Sequence, residues 1–133
     1  MEVVQKISND INAMVQLTID VPSKHEDGKM PVLDLKVWLS SDNEIEYIFY
    51  EKPMKSMLVI GKESALPFNV KMKSLTQEVF RRLHNTRMTQ MESHRTPILT
   101  KFMAKMKASG YTALDRLKVL EGGFNTFNRI KTL

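Results

Sequence analysis

Positive charge is concentrated in one stretch of this 133-residue chain. Residues 70–110 contain 9 Lys and Arg residues against 2 Asp and Glu residues, a net charge of +7, whereas residues 1–69 have a net charge of −4. A basic segment of this kind is typical of a surface that binds the phosphate groups of nucleic acid. The same composition also fits the solvated face of a helix. Charge alone therefore leaves both interpretations open.

Residue types that could form an active site occur without the spacing that catalysis needs. The three histidines, His25, His84 and His94, lie in separate segments and match no metal-ligand motif. Gly61-Lys62 resembles the end of a phosphate loop, but the upstream glycine of that motif is missing. Ser64 has no nucleophile-elbow sequence around it. The chain has no cysteine, which excludes thiolate metal sites. We therefore expect no catalytic, metal or cofactor site in this chain.

Two charged residues, Asp34 and Lys36, interrupt an apolar segment at residues 32–39. The alternation of this segment predicts a β-strand, in which residues two apart point to the same face. Both charges would then lie on one face of the sheet. That face could be turned to solvent, where the two side chains form an ion pair, or to a binding cleft.

The elements that would position these residues fall into two halves. A short amphipathic helix is predicted at residues 2–12, followed by strands at residues 15–21, 32–39 and 45–50 and an extended segment at residues 56–60. The exposed edges of such a sheet would favour self-association.

Helical spacing follows from residue 67 onward. Helices are predicted at residues 69–86, at 96–108 with Thr96-Pro97 at its start, and after Thr112 as an N-cap. Gly122-Gly123 predicts a bend or break in the last helix, because each glycine weakens a helix by about 1 kcal/mol. We predict an α+β fold, a small antiparallel sheet backed by an N-terminal helix and followed by a three-helix bundle.

Membrane and export signals are not found in the sequence. No apolar run approaches the roughly 20 residues that cross a bilayer, and the first residues lack the pattern of a signal peptide. We expect an intracellular protein, in the cytoplasm or the nucleus, with no membrane partner.

Five sequence motifs occur in a recognisable order: MPVLDLKVWL, FYEKPM, SALPFNVK, LTQEVFRRLHNT and FMAKMKASGY. Together they resemble the reverse transcriptases of Penelope-like and related eukaryotic retroelements, in the part that follows the catalytic aspartates. The family's primer-grip hairpin corresponds to Leu33-Asp34, and its Tyr-x-Lys-Pro strand to Tyr50 to Pro53. Its serine-and-proline turn corresponds to Ser64 with Pro67. Its lysine corresponds to Lys71, and its Gly-Tyr turn to Gly110-Tyr111. Two departures are Val32, where the family usually has an aromatic residue, and Leu66, where its turn often has histidine.

The resemblance implies that residues 1–66 are the end of a palm and residues 67–133 a thumb. The metal-binding aspartates would lie upstream of Met1, so RNA-directed DNA polymerase activity belongs to the parent family and none is expected from this chain alone. A thumb holds the template–primer duplex, RNA or DNA, by its backbone. The residues implied to contact nucleic acid are Lys36, Lys52, Lys71, Lys73, Arg81, Arg82, Asn85, Lys101 and Lys105.

The resemblance also leads to an expectation about stability. If Lys71, Lys73, Arg81 and Arg82 form a phosphate-gripping surface, their replacement by alanine should weaken binding and leave the fold intact, because surface substitutions usually change stability by less than about 0.5 kcal/mol.

The alternative function is a domesticated, non-catalytic interaction module. The interaction module would bind a protein partner or a second copy of the chain, whereas the reverse-transcriptase fragment would have a missing polymerase core as a possible partner.

Overall fold

The protein has an α+β fold in the computed structural model, which describes residues 2–11, 18–52 and 58–131. Contacts group the chain into two compact units, Met1–Met30 and Pro31–Leu133. The division predicted between residues 66 and 67 stays a prediction. The elements in chain order are α1 (Glu2–Ile11), a 3-10 turn (Pro22–Lys24), β1 (Met30–Val32), β2 (Leu35–Leu39), β3 (Ile45–Phe49), α2 (Phe68–His84), a second 3-10 turn (Met88–Gln90), α3 (Met91–Ala108) and α4 (Ala113–Lys131).

The sheet has the order β1-β2-β3. Strands β2 and β3 are antiparallel, with Leu35 opposite Phe49 and Leu39 opposite Ile45. The strand predicted at residues 45–50 is thus confirmed. The antiparallel sheet, the N-terminal helix and the helical second half confirm the predicted fold class.

The single strand predicted at residues 32–39 is wrong, because a two-residue turn divides it. Leu33 has a φ of 54° and its side chain is 85% exposed, so it belongs to the turn between β1 and β2. Asp34 is the other turn residue, and its carbonyl oxygen accepts the backbone N–H of Tyr50 at 2.7 Å. Alternation of apolar residues continues through the turn, so it could not reveal the break.

Two of the predicted extended segments lie partly outside the described residues. For the segment 15–21, residues 15–17 are not described, and residues 18–21 are not in a strand. For the segment 56–60, residues 56–57 are not described, and residues 58–60 are not in a strand either.

Helix α3 begins five residues before the predicted Thr96. The 3-10 turn at Met88–Gln90 leads directly into it, and the N–H of Gln90 donates to the carbonyl oxygen of Arg87 at 2.8 Å. Thr96 is therefore not the N-cap, and Pro97 lies inside the helix. A proline at this position removes one backbone hydrogen bond without preventing the helix from forming.

The core of the second unit is made by one face from each long helix. Helix α2 packs against both α3 and α4, as its 3.6-residue pattern of apolar side chains requires. The buried cluster contains Leu75, Val79, Leu83, Met91, Leu99, Phe102, Met106, Tyr111 and Val119.

Gly122 and Gly123 do not break α4, contrary to the prediction from their propensity, because they lie at its contact with α2. A Cβ atom on Gly122 would come within 2.9 Å of Thr76 Cγ2, and one on Gly123 within 2.3 Å of Val79 Cγ1. Both distances are shorter than a van der Waals contact. The glycines therefore allow the two helices to approach closely.

Replacing Gly123 with alanine is expected to lower the free energy of unfolding by about 1 kcal/mol. Overpacking against Val79 costs about 1–3 kcal/mol, which exceeds the gain of about 1 kcal/mol in helix propensity. Chemical denaturation measures the change. Asn125→Ala, at an exposed position of the same helix, is the control and should not destabilise the protein. A more stable Gly123→Ala variant would contradict this packing.

Candidate nucleic-acid interface

The basic residues of α2 and α3 are electrostatically complementary to the acidic residues in and beside the hairpin that β2 and β3 form. Glu51, two residues after β3, accepts a hydrogen bond from Arg82 Nη2 at 2.6 Å and one from Lys105 Nζ at 2.9 Å. Arg81 Nη1 donates to Asp34 Oδ2 at 2.6 Å. Much of the charge asymmetry along the sequence is therefore balanced within the folded chain.

Arg82 is the centre of this complementarity. Its side chain is only 4% exposed, and its guanidinium carbon lies 4.6 Å from the centroid of the Phe49 ring and 4.2 Å from that of Phe102. Besides Glu51, it donates to Glu78 Oε2 at 2.7 Å. Cation–π contacts and charge-assisted hydrogen bonds both strengthen away from water. Arg82 thus joins α2, α3 and the hairpin, and phosphate cannot reach it without displacing these partners.

Lys71 is buried as well, at 3% exposure. Its Nζ donates to the backbone carbonyls of Lys62 at 2.5 Å and Ser64 at 2.6 Å, which holds the segment before α2. In the same region, Lys62 Nζ pairs with Asp115 Oδ2 at 2.9 Å. The N–H of Asp115 donates to Thr112 Oγ1 at 3.1 Å, so the predicted N-cap of α4 is confirmed.

The expectation that the basic residues of α2 are surface residues with no role in stability is wrong for Lys71 and Arg82. Both point inward and have intramolecular partners. Lys105 is buried in the same way against Glu51. The sequence could not show this, since a lysine or arginine is exposed in most proteins.

The remaining predicted contact residues lie in different surroundings. Lys36 is half-buried, with its Nζ 4.7 Å from the centroid of the Tyr50 ring. Asn85 is the C-cap of α2, where its N–H donates to the carbonyl oxygen of Arg81 at 2.9 Å. Three of the set are exposed: Lys52, Lys73 and Lys101.

The two carboxylates that pair with Arg82, those of Glu51 and Glu78, have lowered pKa values. Burial alone would raise the pKa of Glu51, but the hydrogen bond from Lys105 and the charge of Arg82 outweigh it, so the pKa lies below its usual 4.5. Burial likewise opposes the hydrogen bonds from Arg81 and Arg82 to Glu78, and its pKa is again lowered. Both carboxylates are therefore charged in the folded protein at neutral pH.

We expect the protein to lose stability in acid as these carboxylates are protonated. A carboxylate whose pKa is lower in the folded protein than its usual value of 4.5 contributes stability to the fold above pH 4.5. This stability is lost as the pH falls through the pKa of the folded state. Urea denaturation over a pH series measures the effect. Glu51→Gln should reduce the slope of stability against pH. An unfolding free energy that stays constant below pH 4.5 would contradict the assignment.

The edge of β3 is occupied, in contrast to the open edge expected from the sequence. The N–H of Arg87 donates to the Tyr47 carbonyl oxygen at 3.0 Å, and its Nη1 donates to the Ile45 carbonyl oxygen. The N–H of Phe49 donates to Thr86 Oγ1 at 3.3 Å. Residues just after α2 thus occupy the backbone groups of β3 with which a strand from a second copy of the chain would have to pair.

A groove with a different character lies between α2 and α4. Its volume is about 640 Å³, within the range of ligand sites in proteins. Lys73 and Lys118 both line it and are exposed, and no acidic residue is among its lining residues in the described chain. The full lining is Phe68, Asn69, Met72, Lys73, Thr76, Gln77 and Lys118.

The sequence prediction included Lys73 and missed Lys118, which lies 45 residues further along the chain. One signal could have found it. Lys118 is one helical turn before Gly122, and a glycine inside a helix, which costs about 1 kcal/mol relative to alanine, can be kept there for packing. Because Gly122 faces Thr76 of the same groove, Lys118 lies on the side of α4 that is turned to α2.

Comparisons of this chain with protein-family models, with curated proteins and with solved structures found no match. The described residues contain no group of three or more His, Cys, Asp or Glu side chains that could hold a metal ion. Over the same residues, no helix is long and apolar enough to cross a membrane. The fold and the site thus define an α+β protein with a basic, amide-lined groove.

Proposed function

We propose that this protein binds nucleic acid, with the phosphate backbone contacting the groove between α2 and α4. The observation that carries the proposal is the pair of exposed lysines, Lys73 and Lys118, in a groove whose described lining has no acidic residue. An ammonium group is a point charge that binds phosphate well. Asn69 and Gln77 add neutral donors beside it. The resemblance to a reverse-transcriptase thumb supports the same function, the positioning of a template–primer duplex.

The groove is the better candidate because its cations need no rearrangement. A cation already paired with a buried carboxylate would have to lose that partner before it could bind phosphate, which leaves a buried charge uncompensated. Arg82 and Lys105 are in that situation, since both hydrogen-bond to Glu51. Lys73 and Lys118 are exposed, and binding there releases condensed counterions from the nucleic acid.

The salt dependence of binding tests the proposal. Fluorescence anisotropy with a labelled duplex should give a linear fall of log K with log salt concentration. In the double variant Lys73→Ala, Lys118→Ala, the slope should shrink by about 1.8 units on B-form DNA, at about 0.9 unit per lost contact.

Lys107→Ala with Lys131→Ala is the matched control, because both lysines are exposed, lie outside the groove and carry the same total charge. Its slope should stay close to that of the wild type. If both pairs change the slope equally, net charge and not the groove determines binding.

A second candidate function is favoured by α1. Its apolar side chains Val3, Val4, Ile7 and Ile11 are all exposed, as in a helix that packs on another protein. This supports the interaction module, with a protein partner or a second copy of the chain. The salt titration with nucleic acid described above separates the two functions. A surface that binds protein need not bind nucleic acid with a log K that falls linearly with log salt concentration.

A further inference from the structure

The groove between α2 and α4 contains an aromatic surface in addition to its lysines. Phe68, the first residue of α2, lines the groove and is 47% exposed. Lys62 Nζ lies 5.8 Å from the centroid of this ring and is itself held by Asp115 at 2.9 Å. A phenylalanine usually buries its ring, whereas here an exposed ring lines the same groove as two exposed lysines.

We propose that the groove binds single-stranded nucleic acid, with an unpaired base stacked on Phe68 and neighbouring phosphates on Lys73 and Lys118. The inference rests on the proposed function, nucleic-acid binding by Lys73 and Lys118, and specifies an unpaired strand as the preferred ligand. Aromatic stacking combined with a positively charged groove is how proteins hold single strands with little sequence preference. A base inside a duplex is already stacked on its neighbours and cannot use the ring.

The polar groups of the groove suit the edge of an unpaired base. Asn69 and Gln77 each supply an amide, which can both donate and accept hydrogen bonds. Asn69 Oδ1 accepts the N–H of Val70 at 3.0 Å, which holds this side chain at the start of the helix.

The test compares labelled single-stranded RNA, single-stranded DNA and the duplex of the same sequence by anisotropy. Single strands should bind more tightly than the duplex. Phe68→Leu should weaken single-strand binding about 5- to 150-fold, the range of one lost stacked base, with the salt slope unchanged because no phosphate contact is lost. Phe68→Tyr keeps the ring and should bind like the wild type. The RNA and DNA arms show whether a 2′-hydroxyl contributes.

The possible failures are distinguishable. If the lysine variants weaken binding and folded Phe68→Leu does not, the proposed function stands and the stacking inference is overturned. If no nucleic acid binds, both are overturned. Photocrosslinking of the wild-type protein to a strand containing 5-iodouracil gives an independent result that does not depend on the variants folding. An adduct on Phe68 is expected, and an adduct only outside the groove would refute the inference.

Discussion

Arg82→Met is expected to lower the free energy of unfolding by about 3–5 kcal/mol. Removing one partner of a buried ion pair typically costs about 3–5 kcal/mol, because the carboxylate that stays behind loses part of its compensation. In this protein the variant would remove a donor from both Glu51 and Glu78 and the cation–π contacts with Phe49 and Phe102. Chemical denaturation monitored by circular dichroism measures the change.

Lys101→Met is the matched control for Arg82→Met. Lys101 Nζ lies 3.7 Å from the same Glu51 carboxylate, but its side chain is 51% exposed. Exposed ion pairs contribute about 0–1 kcal/mol, so the control should be nearly neutral. Similar losses in both variants would mean that burial of Arg82 does not determine its contribution.

Lys71→Met is expected to lower the free energy of unfolding by about 2–4 kcal/mol. The variant leaves the backbone carbonyls of Lys62 and Ser64 without the ammonium that now donates to both, and each unsatisfied acceptor costs about 1–3 kcal/mol. Urea denaturation measures the loss. Hydrogen exchange in the segment before α2 should also become faster, because that segment is held by these two bonds.

Lys73→Met provides the comparison, two residues further along the same helix. It removes the same charge from an exposed position and should change stability by less than about 0.5 kcal/mol. Equal losses at residues 71 and 73 would refute the structural role of Lys71.

Whether a segment forms a helix or a strand was predictable from the sequence wherever its hydrophobic periodicity continues along the whole segment. The helical spacing of residues 69–86 corresponds to α2, and the β-branched and aromatic run at 45–50 corresponds to β3. The cap at Thr112 was also found from residue type alone. These features depend on local physics, namely side-chain periodicity and the satisfaction of backbone groups.

Features that local periodicity does not report were not predictable. The turn at Leu33 interrupts an apolar alternation that otherwise continues through it. The effect of Gly123 depends on its closeness to Val79 of another helix. Propensity correctly ranks glycine as a weak helix former, but packing decided the outcome here.

The candidate site shows the same division. Glu51 lies 31 residues from Arg82 and 54 from Lys105, so the composition of a segment could not show that its cations are already paired. The sequence correctly indicated that residues 70–110 are basic. It could not separate the inward-facing Lys71 from Lys73 in the groove, because the difference depends on which face of α2 packs against its neighbours.

One measurement tests most directly whether the groove lysines make the phosphate contacts. It is the salt dependence of nucleic-acid binding, compared between folded samples of Lys71→Met and Lys73→Met. The expected result is that Lys73→Met reduces the slope of log K against log salt concentration by about 0.9 unit on B-form DNA. Lys71→Met should keep the wild-type slope. A reduced slope in Lys71→Met with an unchanged slope in Lys73→Met would contradict the proposed binding site.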